Sequence, residues 1–407
     1  MTAIEVEARY CAHNYEPIPV VLARGEGAYL WDTSGRRYID MMSAYSAASH
    51  GHAHPRIVAA LEAQARRLAV PSRAYYNDRL GPFLAELCRL TGLDVALPMN
   101  TGAEAVETAI KAARRWGYRV KGVAKDRAEI IVADGNFHGR TTTIVSFSSE
   151  ADYRDGFGPF TPGFRSVPFG DLGAIERAIT PNTVAVLMEP IQGEAGIIVP
   201  PAGWLAGLRR VCDAHNVLMI LDEVQSGLGR TGAWFAFEHE IARPDGLILG
   251  KALGGGVLPV SAFVAVREVM DVFTPGSHGS TFGGNPLAAA VGLEALRVLR
   301  EEGLVERSRV LGAHMIERLR AIDSPALTDV RGRGLWAAAE INPRFSTGRE
   351  ACERLMAKGV LSKETHGAVV RFAPPLVITR EALDLALDRF EEVVGELEHW
   401  QSHRPAA

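Results

Sequence analysis

Residues 247–263, LILGKALGGGVLPVSAF, place one lysine, Lys251, between a short apolar run and three consecutive glycines. A run of this length and composition reads as a strand buried on both faces, the kind found in a mostly parallel sheet covered by helices. The amine at its end has two readings. Its stem packs while the ammonium reaches water, or it is held in an apolar pocket, where desolvation lowers its pKa and frees the lone pair for attack on a carbonyl. Further out, similar runs recur as VALPM from 95, EIIVADG from 129, TVAVLMEP from 183, VLMILDEV from 217, GLILG from 246 and VSAFVAV from 260. Helical spacing separates some of them, as in AEAVETAIKAARRWG from 103 and AGWLAGLRRVCDAHN from 202. This alternation predicts an α/β fold with a mostly parallel sheet.

After Pro286 the pattern changes to one or two long helices, then strand-like VRGRGLWAAAEI and AVVRFAPPLVI, and a last helix from Thr379. These features predict a smaller α+β domain. The expected division is an N-terminal segment, 1–45, contributing to the small domain and the active site, a large domain over 46–290 and a small C-terminal domain over 291–407. A hairpin, GAYLWDTSGRRYID, lies in the first segment with Ser-Gly at its turn. At 407 residues, the chain exceeds what one hydrophobic core usually supports, which agrees with two domains. A formal charge of -4 gives no electrostatic case for nucleic acid or an anionic membrane as partner. The four cysteines are scattered and form no CxxC, so no disulfide framework or zinc knuckle is indicated. With no signal-like or transit-like N-terminus and no spanning apolar segment, a cytoplasmic setting is expected.

Ligands in an open parallel sheet collect at the carboxyl ends of the strands. Asn100, Thr101, Gly102 and Ala103 lie where a strand turns into a helix, and the helix N-terminus offers unpaired amides to an anion such as phosphate. A capped helix with nothing bound is the plainer reading. Asp222 and Glu223 leave another apolar strand, where a carboxylate needs a cationic or protonated partner; a structural salt bridge would supply one. Taken together, a phosphate cradle, a strand-end carboxylate and a strand-end lysine before a Gly-rich loop are what pyridoxal phosphate requires. LGKALGGG lacks the GxxxxGK[ST] order of a nucleotide loop, and no GxGxxG follows the first strand. His50, His52 and His54 alternate along an extended stretch and so point to opposite faces, which disfavours a metal site.

The segments GNFHGRT, MEPIQGE, LDEVQSGLGRTG, LGKALGGG, HGSTFGGNP and RFAPPL resemble the class III, or ω-amino acid, aminotransferases of the aspartate aminotransferase fold, pyridoxal phosphate enzymes of fold type I. The likeness covers essentially the whole chain. AHNYEPIPV, SAYSAASHGHAHP, SRAYYN, RRWGYRVKG, GFGPF and THGAVVRFAPPLVI are similar to the ornithine-converting branch of that family. The resemblance implies that Lys251 binds the cofactor aldehyde covalently and later moves the proton, and that Asp222 pairs with the pyridine nitrogen. It implies that Phe137 stacks on the ring, Gln225 approaches the 3′ oxygen, and Thr101, Gly102 and Ala103 cradle the phosphate. Ser280 and Thr281 are expected to reach the phosphate of a neighbouring subunit, which makes a homodimer part of the site.

For substrates the resemblance implies ornithine and the 2-oxoglutarate/glutamate pair. Arg371 then takes the α-carboxylate of glutamate, and Glu194 masks it when ornithine, whose reacting carbon has no carboxylate, is bound. Arg140 grips the distal carboxylate, and Tyr15 and Tyr45 hold the α-amino end of ornithine. Without the resemblance, Arg371 and Glu194 read as a bridge between domains. His138 follows Phe137 where ornithine-converting members carry tryptophan. The alternatives are acetylornithine or 4-aminobutyrate transamination, a semialdehyde aminomutase, and a non-catalytic phosphate-binding protein.

Overall fold

Every residue of Thr183–Met188, Leu218–Asp222, Gly246–Leu249 and Ser261–Ala265 is buried. In a computed structural model describing residues 1–401, with side chains through residue 398, these strands form the centre of a seven-stranded sheet. Across the sheet the order is Val95–Met99, Ser261–Ala265, Gly246–Leu249, Leu218–Asp222, Thr183–Met188, Glu129–Ala133 and Phe164–Val167. Ser261–Ala265 runs antiparallel to both neighbours, and the other pairings are parallel. The expected strands are all present. An apolar run carries no direction, so the reversed strand was not legible; Phe164–Val167 was not expected because two of its four residues are exposed.

Side chains of successive residues point to opposite faces and build two cores. On one face Ile130, Val132, Ala185, Leu187 and Ile248 pack against Ala105, Ala109, Ile110 and Ala113 of the helix Gly102–Trp116. On the other, Ile131, Val186, Met219, Leu221 and Leu247 join a core that includes buried residues of the helices Pro286–Glu301, Pro55–Ala65 and Leu80–Thr91. Both faces are covered, which is why the strands read as continuous apolar runs. No helix among the described residues is long and apolar enough to cross a membrane.

Two smaller sheets complete the structure. Leu327–Gly332, Ala337–Ile341, Val369–Phe372 and Glu364–Thr365 form an antiparallel sheet in that order, followed by the helix Arg380–Gln401. The N-terminal strands Leu22–Glu26, Tyr29–Asp32 and Arg37–Asp40 pair in turn, and Arg37–Asp40 also takes Val360–Leu361 as a parallel partner. Backbone pairing thus ties the first forty residues to the C-terminal part of the chain.

Just beyond this sheet, Ser43, Ala44, Tyr45 and Ser46 adopt φ values of 42°, 47°, 58° and 75°. Left-handed backbone costs a non-glycine residue roughly 1–2 kcal/mol, so the segment needs external support. Asp40 Oδ1 accepts from the amides of Met42 and Ser43 at 2.8 and 2.9 Å. Arg230, fully buried, supplies the rest. Its Nη2 donates to Ser43 Oγ and Ser49 Oγ at 3.0 and 2.8 Å, and its Nη1 to the carbonyls of Leu335 and Pro374 at 2.8 and 2.6 Å. Burial pushes its pKa down to about 9. Arg230→Met is expected to leave the Leu335 and Pro374 carbonyls unpaired, while Ser43 Oγ and Ser49 Oγ keep their bonds to the Ala373 and Ser46 carbonyls, and to lower stability by about 2–6 kcal/mol, given ~1–3 kcal/mol for each buried group left unsatisfied. Thermal unfolding checks this, with Arg230→Lys recovering only part of the loss because an ammonium lacks the planar fork.

Candidate active site

At the carboxyl edge of the large sheet, loops from several strands enclose a cavity of about 180 Å³ lined by Gly102, Ala103, Phe137, Asp222 and Lys251 among others. An apolar cavity of ~150 Å³ accommodates benzene, so this space suits one substituted six-membered ring. At one end lies the start of the helix Gly102–Trp116. Thr101 and Glu104 form a reciprocal cap: the Glu104 amide donates to Thr101 Oγ1 at 3.2 Å, and the Thr101 amide to Glu104 Oε2 at 2.8 Å. The cap leaves the amides of Gly102 and Ala103 open to an anion. Space at 102 is tight, since a Cβ there would meet Val224 Cγ1 at 3.0 Å.

Asp222 ends its strand 5% exposed. Its Oδ1 accepts from the Val224 amide at 3.0 Å, and its Oδ2 lies 2.7 Å from His138 Nδ1. Burial works against a charged His138 ring, but the hydrogen bond to Asp222 and the charges of Asp222 and Glu189 outweigh it and hold the pKa above its ordinary value. Nδ1 is then the donor, and Nε2 is buried without a partner. Glu189, at the end of the next strand, accepts from the amides of Phe137 and Gly193 at 3.0 and 3.2 Å; burial pushes its pKa up to about 7. Lys251 follows its strand with φ of 44°, a strained value for a residue with a Cβ. Burial lowers the pKa of its amine, partly offset by Glu194, Asp222 and Glu189. Among the described residues its Nζ has no hydrogen-bond partner. A planar ring with an anionic tail, an aldehyde and a basic nitrogen matches this donor set: open amides, an amine and a fixed carboxylate.

Beside the cavity sit two arginines in different states. Arg371, on Val369–Phe372, is 4% exposed and donates from Nη1 to Glu194 Oε1 at 2.9 Å. Its guanidinium lies 4.7 Å from the Tyr45 ring centroid, and its Nε is unpartnered. Burial raises the Glu194 pKa, but Arg371, Lys251 and Gln225 bring it below the ordinary value, so the mask is a carboxylate. Arg140 is exposed and stands 3.9 Å from the Tyr153 ring centroid. The structure therefore gathers Gly102, Ala103, Phe137, Asp222, Gln225 and Lys251 around the cavity, with Thr101 at its helix cap and Tyr45, Arg140, Glu194 and Arg371 next to it. Gln225 donates to Glu194 Oε1 at 3.2 Å.

The remaining three expected residues, Tyr15, Ser280 and Thr281, neither line the cavity nor belong to this group. Tyr15 is 75% exposed on the N-terminal segment; the Tyr45 pKa is raised chiefly by burial, with Glu194 and Tyr15 adding to it. Ser280 Oγ accepts from Asn100 Nδ2 at 2.9 Å, and Thr281 is exposed beside a shallow groove with Arg73 and Asn77. Two residues were missed as functional groups: Glu189, which ends an apolar strand as Asp222 does and so carried a readable signal, and His138, whose contact with Asp222 spans 84 positions. His50, His52 and His54 face separate partners: the Ala295 carbonyl, Asp40 and Glu302. Gly255 and Gly256 have φ of 61° and 75°, and a Cβ on Gly255 would meet Ile57 Cγ2 at 2.8 Å, so the loop after Lys251 turns tightly against a helix.

Residues 10–394 match the Aminotransferase class-III family, and the chain belongs to it. Members of this family are pyridoxal phosphate enzymes. Similar relatives include the ornithine aminotransferase of a Geobacillus species, 56% identical over 390 residues, which covers 96% of this chain and 97% of that protein. The ornithine aminotransferase of Brevibacillus brevis is 54% identical over 391 residues, again covering 96% and 97%. Among solved structures, Toxoplasma gondii ornithine aminotransferase, with partial occupancy of PLP at its active site, matches with a TM-score of 0.97 and 44% identity over 98% of this chain and 95% of that one. An acetylornithine aminotransferase from Elizabethkingia anophelis matches with a TM-score of 0.88 and 46% identity, covering 97% and 98%.

Lys251 gives this site a pH signature in the cofactor-free protein. Its pKa is lowered on folding from 10.5, so at pH values below the folded pKa both states hold the proton and folding carries the full desolvation penalty. The penalty fades as pH rises toward 10.5, because only the unfolded chain still binds the proton there. Lys251→Met is therefore expected to stabilise the cofactor-free protein near pH 7 and to lose that advantage on approach to pH 10.5. Urea midpoints measured across that range check it.

Proposed function

We propose that this class III aminotransferase uses pyridoxal phosphate to move the δ-amino group of L-ornithine to 2-oxoglutarate, giving glutamate 5-semialdehyde and L-glutamate. The observation that carries the reading is one cavity lined by Lys251 and Asp222, flanked by one masked and one unmasked arginine. The open amides of Gly102 and Ala103, with Thr101 at the cap, hold the phosphate, and Phe137 and Gln225 contact the ring and its 3′ oxygen. Asp222 faces the ring nitrogen, held in position by the Val224 amide and His138. When bound, the cofactor supplies an aldehyde for the amino group and an electron-withdrawing ring. Lys251 Nζ would hold that aldehyde and, when free, would serve as the base that takes the proton from the amine-bearing carbon of the substrate and as the acid that gives it back.

Ornithine presents a terminal amine, so the Arg371 site must be closed to it. Glu194 does this through a single Oε1 contact, and the arginine fork has a free Nε. The carboxylate of glutamate can replace Glu194 on the guanidinium at little net cost, whereas an amine cannot. Arg140 takes the distal carboxylate, and Tyr45 with Tyr15 shapes the ornithine end. A homodimer, in which Ser280 and Thr281 serve the neighbouring phosphate, and a cytoplasmic setting belong to the same reading.

Incubation with ornithine and 2-oxoglutarate should give a product trapped by ortho-aminobenzaldehyde, at a higher kcat/KM than with N-acetylornithine or 4-aminobutyrate. A preference for acetylornithine would overturn the donor, and turnover without any 2-oxo acid would point to an aminomutase. Lys251→Ala should abolish turnover and the visible absorption band. Glu194→Ala should lower KM for glutamate and raise it for ornithine, each on the order of tenfold, the scale of one charge-assisted hydrogen bond; steady-state kinetics of the two half-reactions check this.

A further inference from the structure

Arg371 and Arg140 share one device, an arginine laid against a tyrosine ring, and differ in what fills the guanidinium edge. Arg371 lies 4.7 Å from the Tyr45 centroid while Glu194 Oε1 occupies its edge at 2.9 Å. Arg140 lies 3.9 Å from the Tyr153 centroid and 5.8 Å from that of Phe137, and among the described residues its edge has no carboxylate and no hydrogen-bond partner. A guanidinium meets a ring through its flat face and a carboxylate through its in-plane N–H fork, so the two contacts do not compete. The Arg371 cluster thus displays, within the same molecule, the arrangement that Arg140 would reach on taking a carboxylate.

Tyr153 is itself held in place. It sits on the short turn Ala151–Arg154, which is anchored independently of its ring: Arg154 Nη1 donates to the Ser148 carbonyl at 3.1 Å, and its guanidinium lies 4.4 Å from the Phe160 centroid. The Tyr153 ring meets Phe137 edge-on, with centroids 6.0 Å apart at 76°. Phe137 lines the cavity, so a line of contacts runs from the cavity wall through Tyr153 to Arg140. The Tyr153 hydroxyl has no hydrogen-bond partner among the described residues, which leaves the ring as the part in use.

We propose that Tyr153 is a specificity-determining positioning residue, whose ring holds the Arg140 guanidinium in place as a standing site for the substrate carboxylate remote from the reacting carbon. The inference rests on the reading of Arg140 as the distal-carboxylate residue. Without the ring, Arg140 is a long flexible side chain in water, and ordering it falls to each incoming substrate.

The test measures calorimetric binding of glutarate, an unreactive dicarboxylate, to the cofactor-loaded protein. Tyr153→Leu should weaken glutarate about 3- to 30-fold, the range of a cation–π contact converted to affinity. The visible band and the thermal midpoint should stay unchanged, and Tyr153→Phe should bind glutarate as the unaltered protein does. Arg140→Ala separates the two claims. If it loses glutarate affinity while Tyr153→Leu does not, the role of Tyr153 is overturned and that of Arg140 stands. If Arg140→Ala binds glutarate normally, both fall. A lost visible band or a lowered thermal midpoint in Tyr153→Leu would also overturn the proposal, since either would mark general damage to the cavity.

Discussion

Charged groups collected at the edge of an apolar sheet are the constraint on which this structure turns. Lys251, Asp222, Glu189, His138, Glu194 and Arg371 share a region from which water is largely excluded, and each would be costly there alone. They offset one another: His138 against Asp222, Arg371 against Glu194, and the carboxylates together against the Lys251 amine. The compensation is incomplete. The Lys251 amine keeps a lowered pKa and no partner, the His138 Nε2 and Arg371 Nε atoms are unpaired, and the first amides of the helix Gly102–Trp116 are open. On the proposed function, the Lys251 amine and the open helix amides are groups that the cofactor would complete.

The surrounding fold exists to hold that edge. Strands buried on both faces keep Asp222 and Lys251 at fixed heights, and a helix packed through alanines brings Gly102 against Val224. Tyr45 comes from a different source. Its backbone is left-handed over four residues, and Arg230 joins that segment to the carbonyls of Leu335 and Pro374 in the C-terminal part of the chain. Residues from both ends of the sequence are thereby brought beside the cavity, whose lining comes from the middle of the chain.

Legibility in the sequence followed the same division. Lys251 and Asp222 end apolar runs, and the rule that parallel strands present ligands at their carboxyl ends was enough to single them out. Glu189 ends a run in the same way and would have been found by consistent use of that rule. The pairing of Arg371 with Glu194 spans 177 positions and carries no periodic signal, so only the family resemblance reached it. Tyr153 lies in a polar stretch with no pattern at all, and its contact with Arg140 exists only in three dimensions. The direction of Ser261–Ala265 was likewise invisible, because burial on two faces looks the same in a parallel and an antiparallel strand.

The central claim is that one amine, among all those in the chain, is bonded to the cofactor aldehyde. Borohydride reduction of the loaded protein followed by peptide mass mapping tests it directly. The account expects a single added phosphopyridoxyl group on the peptide containing Lys251. The same group on another lysine, or none on any, would contradict it.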